Sequence, residues 1–220
     1  MVRKLRIEVE GGLYHVITRG NDRQDIFHSK SDHLKFLDLL GKEKIRSAFY
    51  LYAYCLMTNH VHWIVLPRAR TSLAKTIAAS HRAHATQFNR RGGWRGHLWA
   101  NRYYSTVLDE RHLWSAVRYV ERNPVRAGLV RRAEDYPWSS AAAHCDLRFN
   151  PILAPTRPFP GVMERWSEWL RDDYEDAGDI EALRRNSRTG RPTGSAAFVA
   201  GLELVLQRTL SKGKKGTGTF

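Results

Sequence analysis

Apolar runs and helical periodicities alternate along the first half of the chain. Runs of apolar, aromatic and β-branched residues with the length of a strand occupy residues 13–19, 49–56, 60–67 and 102–108. Apolar positions spaced by three and four residues predict helices over 31–47 and 71–90, and a third helix that begins after Asp109. The order strand–helix–strand–strand–helix–strand is that of a ferredoxin-like fold, an α+β class in which an antiparallel sheet carries helices on one face.

The pattern changes after residue 145. Several prolines between Asn150 and Gly161 predict a linker or an extended arm. Amphipathic helical spacing follows over residues 164–184, with its apolar side at Trp166, Trp169, Leu170 and Tyr174, and a further apolar helix is predicted over 196–210. We therefore expect a domain over residues 1–145 and a helical, partly basic C-terminal extension over 146–220.

The tripeptide His60-Val61-His62 lies inside one of the predicted buried strands. Successive side chains of a strand point to opposite faces, so the two histidines share a face and stand about 6–7 Å apart along the backbone. Two neutral imidazoles in this arrangement can hold one divalent cation. A pair of hydrogen-bonded core histidines explains the strand equally well, because each buried imidazole needs a polar partner.

A second candidate feature lies at the end of the third predicted helix. Pro124 disfavours the helical conformation at Asn123, so the helix should end there. Tyr119 and Asn123 stand four residues apart and therefore share a face of the last turn. If this helix lies over the histidine-bearing strand, His60, His62 and the Asn123 oxygen surround a metal with a phenol beside it.

Each of these residues also has a structural interpretation. Asn123 precedes a proline, where an asparagine often caps a helix end or forms a turn. Tyr119 has valine neighbours and fits a core aromatic. Tyr103 and Tyr104 are rival nucleophiles, but they belong to a predicted strand, where aromatic residues usually contribute to packing.

Four segments together carry a family resemblance. They are His60-Val61-His62, the run from Tyr119 to Val130, the opening Gly12–Asn21 followed by Ile26-Phe27, and Asp135–Ser140. In this order, over about residues 10–145, the chain closely resembles the HUH single-tyrosine transposases, and in particular their REP-associated tyrosine transposase branch. Many single-tyrosine transposases have glutamine where this chain has Asn123, whereas asparagine is common in the REP-associated branch.

The resemblance implies an activity and a set of roles. Tyr119 is expected to attack a phosphate in single-stranded DNA and to become joined to the 5′ end, leaving a 3′-OH that can reverse the step. His60, His62 and Asn123 are expected to hold a divalent cation, Mg²⁺ or Mn²⁺, that stabilises charge in the transition state. The expected substrate is a hairpin of a repetitive extragenic palindrome with a short tetranucleotide at its foot.

Composition favours the same class of partner. The formal net charge is +14 and the sequence pI is about 10.2, which favours nucleic acid as the partner first and an anionic membrane second.

No run is apolar and long enough to span a bilayer, and the N-terminus lacks a signal-peptide core. Cys55 and Cys145 do not form a disulfide framework or a zinc knuckle, which indicates a reducing compartment. We expect a bacterial, cytoplasmic, nucleoid-associated protein, either a monomer or a homodimer.

Several basic residues are candidates for contacts with DNA. Helix 71–90 carries a basic strip that can follow a phosphate backbone, although His81 and His84 on one of its faces also allow a second metal site. Trp94, His97 and Trp99 either stack on unpaired bases or form a satellite core. The complete set of candidates for DNA contacts is Arg19, Arg82, His84, Arg90, Arg102, Arg118, Arg122, Arg126 and Arg191.

The segment Asn186–Ser195 resembles the C-terminal extension found on many REP-associated members. We interpret it as an accessory DNA-contacting element, with a disordered tail as the alternative. The basic tail that ends the chain contains Lys212, Lys214 and Lys215.

Two other function classes stay open at this point. A catalytically idle DNA-binding regulator of repeats would show the same charge, but it would have no need of all four of His60, His62, Tyr119 and Asn123. A metal-dependent nuclease that uses water as its nucleophile would be expected to have carboxylate ligands near the histidines, and the strand has none. A replication-type nickase shares the chemistry but usually belongs to a larger, helicase-bearing chain.

Overall fold

The computed structural model describes residues 6–100, 102–156, 165–172 and 176–210. Within them lies a four-stranded sheet in the order β2-β3-β1-β4, and every neighbouring pair is antiparallel. The strands are β1 (Leu13–Arg19), β2 (Phe49–Met57), β3 (His60–Pro67) and β4 (Tyr104–Leu108). The four predicted strands are confirmed to within two residues, and the strand order is that of the predicted ferredoxin-like sheet.

Helices cover both faces of this sheet. The longer ones are α1 (Lys30–Arg46), α2 (Ser72–Gly92) and α3 (Glu110–Glu121). The β3 residues Val61, Trp63 and Val65 belong to the same core as α1 and α2, whereas Ile64, on the opposite face, belongs to a second core with α3. The expectation of helices on one face therefore holds only for α1 and α2, because α3 buries its own apolar stripe against the other face.

The limits of α3 follow from its sequence. The Asp109 side chain accepts a hydrogen bond from the backbone N–H of His112 and so caps the first turn. Leu113 and Val117, from its apolar stripe, are fully buried. The helix ends at Glu121, and a separate single turn, α4 (Asn123–Arg126), begins next to Pro124. The predicted end of the helix near Asn123 is confirmed.

The C-terminal part contains shorter helices than predicted. After α5 (Ala141–His144), the stretch predicted as one helix over 164–184 contains α6 (Trp166–Arg171) and α7 (Ala177–Thr189), and α8 (Ala196–Leu206) follows. Tyr174 and the three lysines of the basic tail lie outside the described residues. In the part of the chain that the structure covers, no helix is both long and apolar enough to cross a membrane.

Helix α7 and the segment after it pack on the same sheet face as α3. Thr193 pairs with the end of β4: its N–H donates to the Val107 carbonyl (2.8 Å), and its own carbonyl accepts from the N–H of Asp109 (3.1 Å). The hydroxyl of Thr106 donates to the carbonyl of Arg191 (2.6 Å). The alternative of a disordered tail is therefore wrong for Asn186–Ser195, since backbone hydrogen bonds fasten this segment to β4.

Candidate functional site

Three of the predicted site residues meet on the α3 face of the sheet. The ring centroids of His60 and His62 are 4.9 Å apart, and the ring of Tyr119 lies 5.6 Å from that of His62. His62 and Tyr119 are buried, while His60 is half-buried at the edge of the group. The alternation of β3 places both imidazoles on this face, and the packing of α3 brings the phenol to them.

The orientation of His60 is set by its neighbour Asn59. The amide nitrogen of Asn59 donates to the carbonyl of Arg23 (3.1 Å), so the amide oxygen faces Nδ1 of His60 at 2.6 Å. An amide oxygen can only accept, and Nδ1 of His60 therefore carries the proton. The lone pair of the neutral ring is then on Nε2, which is the form in which a histidine ligates a metal.

His15 belongs to the site, although the sequence did not indicate it. Its ring is parallel to that of His62 within 5°, and its Nε2 lies 2.9 Å from Nδ1 of His62. Its other nitrogen, Nδ1, lies 2.9 Å from the hydroxyl of Ser187 in α7. The same alternation that singled out β3 exists on β1, and the predicted ferredoxin-like order places β1 next to β3, but no local pattern gives the register that sets His15 beside His62.

Burial keeps the three imidazoles neutral. It lowers the pKa of His15 to about 3 and that of His60 to about 4, and for His60 the positive charge of Arg19 lowers the pKa further. The pKa of His62 falls well below its ordinary value, first through burial and then through His15 and His60. Neutral imidazole is the form that binds a cation, so the site is prepared for one at neutral pH.

Two guanidinium groups border the phenol of Tyr119. The central carbon of Arg126 lies 4.3 Å from the ring centroid, and that of Arg184 lies 5.3 Å from it. Nε of Arg184 also donates to the phenol oxygen at 3.4 Å. Arg126 was predicted as a DNA contact, whereas Arg184 belongs to α7 and no sequence signal connected it with Tyr119. Positive charge on both sides favours an anionic phosphate, and negative charge on the phenol oxygen, at this position.

Asn123 serves the end of α3. Its amide nitrogen donates to the carbonyls of Tyr119 (2.9 Å) and Val120 (3.3 Å), which are among those that a helix end leaves unpaired. The amide nitrogen of Asn123 therefore caps the helix end, as the structural interpretation of this residue expects. The amide oxygen takes no part in these two bonds, and its predicted role as a metal ligand stays a prediction.

The structure brings two neutral nitrogen donors for a cation together, those of His60 and His62. Among the described residues, no group of three or more histidine, cysteine, aspartate or glutamate side chains has the arrangement of a metal centre. A cation here would rest on the Nε2 atoms of His60 and His62 and on an amide oxygen, leaving positions for phosphate and water.

The predicted DNA contacts fall into several environments. Arg19 pairs with His60 across the strands, and its buried Nε has no hydrogen-bond partner among the described residues. Arg82 and Arg90 are exposed on α2, as a backbone-contacting strip requires, while Arg102 and Arg191 are half-buried. Arg19 and Arg126 are thus at the site itself, and Arg82 and Arg90 are at the surface.

Three of these predictions are wrong because the side chains are used internally. His84 is 2% exposed, and its Nε2 is 2.8 Å from the carbonyl of Ile26. Arg118 and Arg122 are 7% and 9% exposed, and both donate to the carbonyl of Asp172 after α6. These two arginines connect α3 to α6, and His84 is a core histidine of α2 that packs against Phe27 and Phe36.

The aromatic residues before β4 mostly form a core. Trp99 is buried and stacks on His81 with a centroid distance of 3.8 Å, so the satellite-core interpretation applies to it. Trp94 is 49% exposed. Of the rival nucleophiles, Tyr103 packs in the core on the opposite face, and Tyr104 is exposed on β4, separated from His62 by β1.

Comparisons with known proteins were made for the sequence and for the fold. The family model described as "Transposase IS200 like" matches residues 8–123. A solved REP-associated tyrosine transposase bound to a REP hairpin is similar in structure, with 21% identity and a TM-score of 0.54, over 75% of this chain and 98% of that one. A proposed transposase from Deinococcus radiodurans R1 has 24% identity and a TM-score of 0.38, over 55% and 97%. No protein of curated function matches the sequence.

Proposed function

Because this chain belongs to the family of IS200-like transposases, we propose that it cleaves and rejoins single-stranded DNA through a covalent bond to Tyr119. The observation that carries the proposal is the meeting of two neutral histidines, the Tyr119 phenol and flanking guanidiniums on one sheet face. Tyr119 also belongs to the hydrophobic core on this face, but the two imidazoles and the guanidiniums around it are polar groups that can act on a phosphate. Together they supply a nucleophile, cation ligands and positive charge for a phosphate.

The chemical step conserves the phosphodiester. The phenol oxygen of Tyr119 forms a bond to phosphorus, and the bond from phosphorus to the 3′ oxygen breaks. The proton that the phenol loses is matched by the one that the departing 3′ oxygen gains. Since the new bond is also a phosphodiester, attack by the same 3′-OH restores the strand without an external source of energy.

The other residues of the site hold the reacting groups. His60, His62 and the amide oxygen of Asn123 would bind a divalent cation, which when bound supplies charge stabilisation at a non-bridging phosphate oxygen. Arg184 and Arg126 stabilise negative charge on the Tyr119 oxygen as it attacks. Arg19, which pairs with His60 across the strands, adds positive charge for a DNA phosphate beside His60.

For the substrate, we propose a DNA hairpin from a repetitive extragenic palindrome. The sequence resembles the REP-associated branch in the motifs around His60 and Tyr119, and the similar solved transposase is bound to such a hairpin. The net charge of +14 and the exposed arginines Arg82 and Arg90 on α2 suit a folded polyanion.

A covalent-capture assay tests the proposal. Labelled single-stranded oligonucleotides that carry such hairpins are incubated with the protein and Mn²⁺ or Mg²⁺, then separated on a denaturing gel. We expect a labelled protein band that disappears in Tyr119→Phe and in EDTA. Tyr104→Phe is the matched control, because this phenol is exposed on the same face and lies two strands from His62.

The possible results separate the function classes. Loss of the band in Tyr119→Phe but not in Tyr104→Phe identifies the nucleophile. Cleavage without an adduct would show that water is the nucleophile, and the tyrosine mechanism would be rejected. Binding with neither cleavage nor adduct, in both metals, would leave the regulator of repeats as the function.

A further inference from the structure

A hydrogen-bonded relay runs from His62 into the C-terminal extension. His62 Nδ1 is 2.9 Å from His15 Nε2, and His15 Nδ1 is 2.9 Å from the hydroxyl of Ser187. All three residues are buried. We propose that His15 and Ser187 are positioning residues that set the tautomer of His62, so that its Nε2 keeps the lone pair with which it binds a cation.

The relay admits only two arrangements of its protons. If Nδ1 of His62 donates to His15, then Nε2 of His15 accepts, and the neutral His15 ring carries its own proton on Nδ1 and donates to Ser187. In the opposite arrangement Ser187 donates, His15 donates to His62, and the proton of His62 is on Nε2. Only the first arrangement leaves a lone pair on Nε2, so cation binding at Nε2 requires this direction of both hydrogen bonds.

His60 reaches the same tautomer through a different partner. The oxygen of Asn59 can only accept and therefore holds the proton of His60 on Nδ1. His62 instead has the adaptable pair of His15 and Ser187, and among the described residues its side chain makes no other hydrogen bond. With the relay directed toward Ser187, both histidines carry a free lone pair on Nε2 that can bind one cation.

Through Ser187, this relay connects the C-terminal extension to the proposed cation site. Ser187 lies on α7, beyond residue 123, where the match to the family model ends. Three residues earlier on the same helix, Arg184 donates to the phenol of Tyr119. Side chains at this spacing share a helix face. One face of α7 therefore carries both Ser187, which bonds to the relay behind His62, and Arg184, which bonds to Tyr119.

The inference rests on the cation site of the proposed function, and Mn²⁺ binding to the full chain tests it. The free aquated ion is followed by electron paramagnetic resonance. Losing a hydrogen-bond partner behind a metal ligand typically weakens metal affinity about 10–100-fold, so we expect a loss in this range for Ser187→Ala. Ser187→Thr keeps an accepting hydroxyl and should bind close to wild type.

Thr189→Ala is the matched control, because the Thr189 hydroxyl on the same helix bonds, among the described residues, only to carbonyls of that helix. It should leave the Mn²⁺ affinity unchanged. An affinity of Ser187→Ala equal to that of wild type would overturn the proposal.

A second measurement is independent of metal binding. Nitrogen-15 NMR of labelled histidines in the metal-free wild type reports which ring nitrogen carries the proton. We expect the Nδ1–H form for both His15 and His62, and an Nε2–H form of His62 would overturn the relay. If wild type and His62→Ala bind Mn²⁺ equally, the proposed cation site at His62 is rejected. The tautomers of His15 and His62 measured by NMR then decide by themselves whether the relay has the proposed direction.

Discussion

Glu121 is a fully buried carboxylate that joins three elements, and its removal should be among the most damaging single changes in this fold. It accepts hydrogen bonds from the hydroxyl of Ser140, from Nδ1 of His144 (2.6 Å) and from Nε1 of Trp166 (2.8 Å). These contacts hold the end of α3, two residues after Tyr119, against α5 and α6. We therefore expect Glu121→Ala to destabilise the protein and to loosen the helix that carries the nucleophile.

The magnitude follows from what the substitution leaves behind. Each buried donor that loses its acceptor costs about 1–3 kcal/mol, and three donors lose this one. Because the surrounding side chains can relax in part, we expect the free energy of unfolding to fall by about 3–5 kcal/mol.

Urea denaturation followed by circular dichroism measures this free energy. Glu168→Ala on α6 is the matched control: its carboxylate side chain is 61% exposed and pairs with Arg165 at 3.0 Å, and an exposed pair of this kind contributes about 0–1 kcal/mol. If Glu121→Ala lies within about 1 kcal/mol of wild type, the network is not what holds the end of α3, and this reasoning is wrong.

Three further predictions address the site and its surroundings. Burial lowers the pKa of His15 to about 3, so between about pH 6.5 and 3 the unfolded chain binds a proton at this residue and the folded protein does not. The free energy of unfolding should therefore fall on acidification by about 1.4 kcal/mol per pH unit from this residue. Urea midpoints at pH 7 and 5 test this, and an equal loss of stability in His15→Gln would contradict it. Arg184→Leu should slow adduct formation about tenfold in single-turnover assays without changing Mn²⁺ affinity, since one charge-stabilising group is lost. Arg185→Leu, at its exposed neighbour, should leave the rate of adduct formation unchanged. Gly20→Ala should lower the melting temperature, because a Cβ there would lie 2.1 Å from the carbonyl oxygen of Gln24. Gly201→Ala on α8, where a Cβ meets open space, should raise the melting temperature or leave it unchanged. Equal effects of the two substitutions would refute the steric argument.

Local sequence was enough to predict the scaffold of the site. The alternation of β3 placed His60 and His62 on one face, since a strand turns each successive side chain over. The apolar spacing of α3, its cap at Asp109 and the proline after Asn123 defined the helix that carries Tyr119. These features depend on residues only a few positions apart, and the chain shows them directly.

Burial of individual polar residues was not predictable in this way. His84, Arg118 and Arg122 have the composition of a DNA-binding surface but are enclosed by the packing of α2 and α6. Whether a charged side chain on a helix faces solvent or a neighbouring helix depends on where that neighbour packs. For Arg118 and Arg122 the decisive neighbour, Asp172, lies about fifty residues further along the chain.

The sequence by itself determined the elements, the histidine pair, the tyrosine with its family motif, and a strongly basic chain suited to DNA. Only the tertiary structure decided that His15 lies beside His62, and that α7 brings Ser187 and Arg184 to the same site. The physical reason is sequence separation. Contacts across 47, 65 and 172 residues arise from strand order and helix packing, which no local pattern of hydrophobic and polar positions encodes.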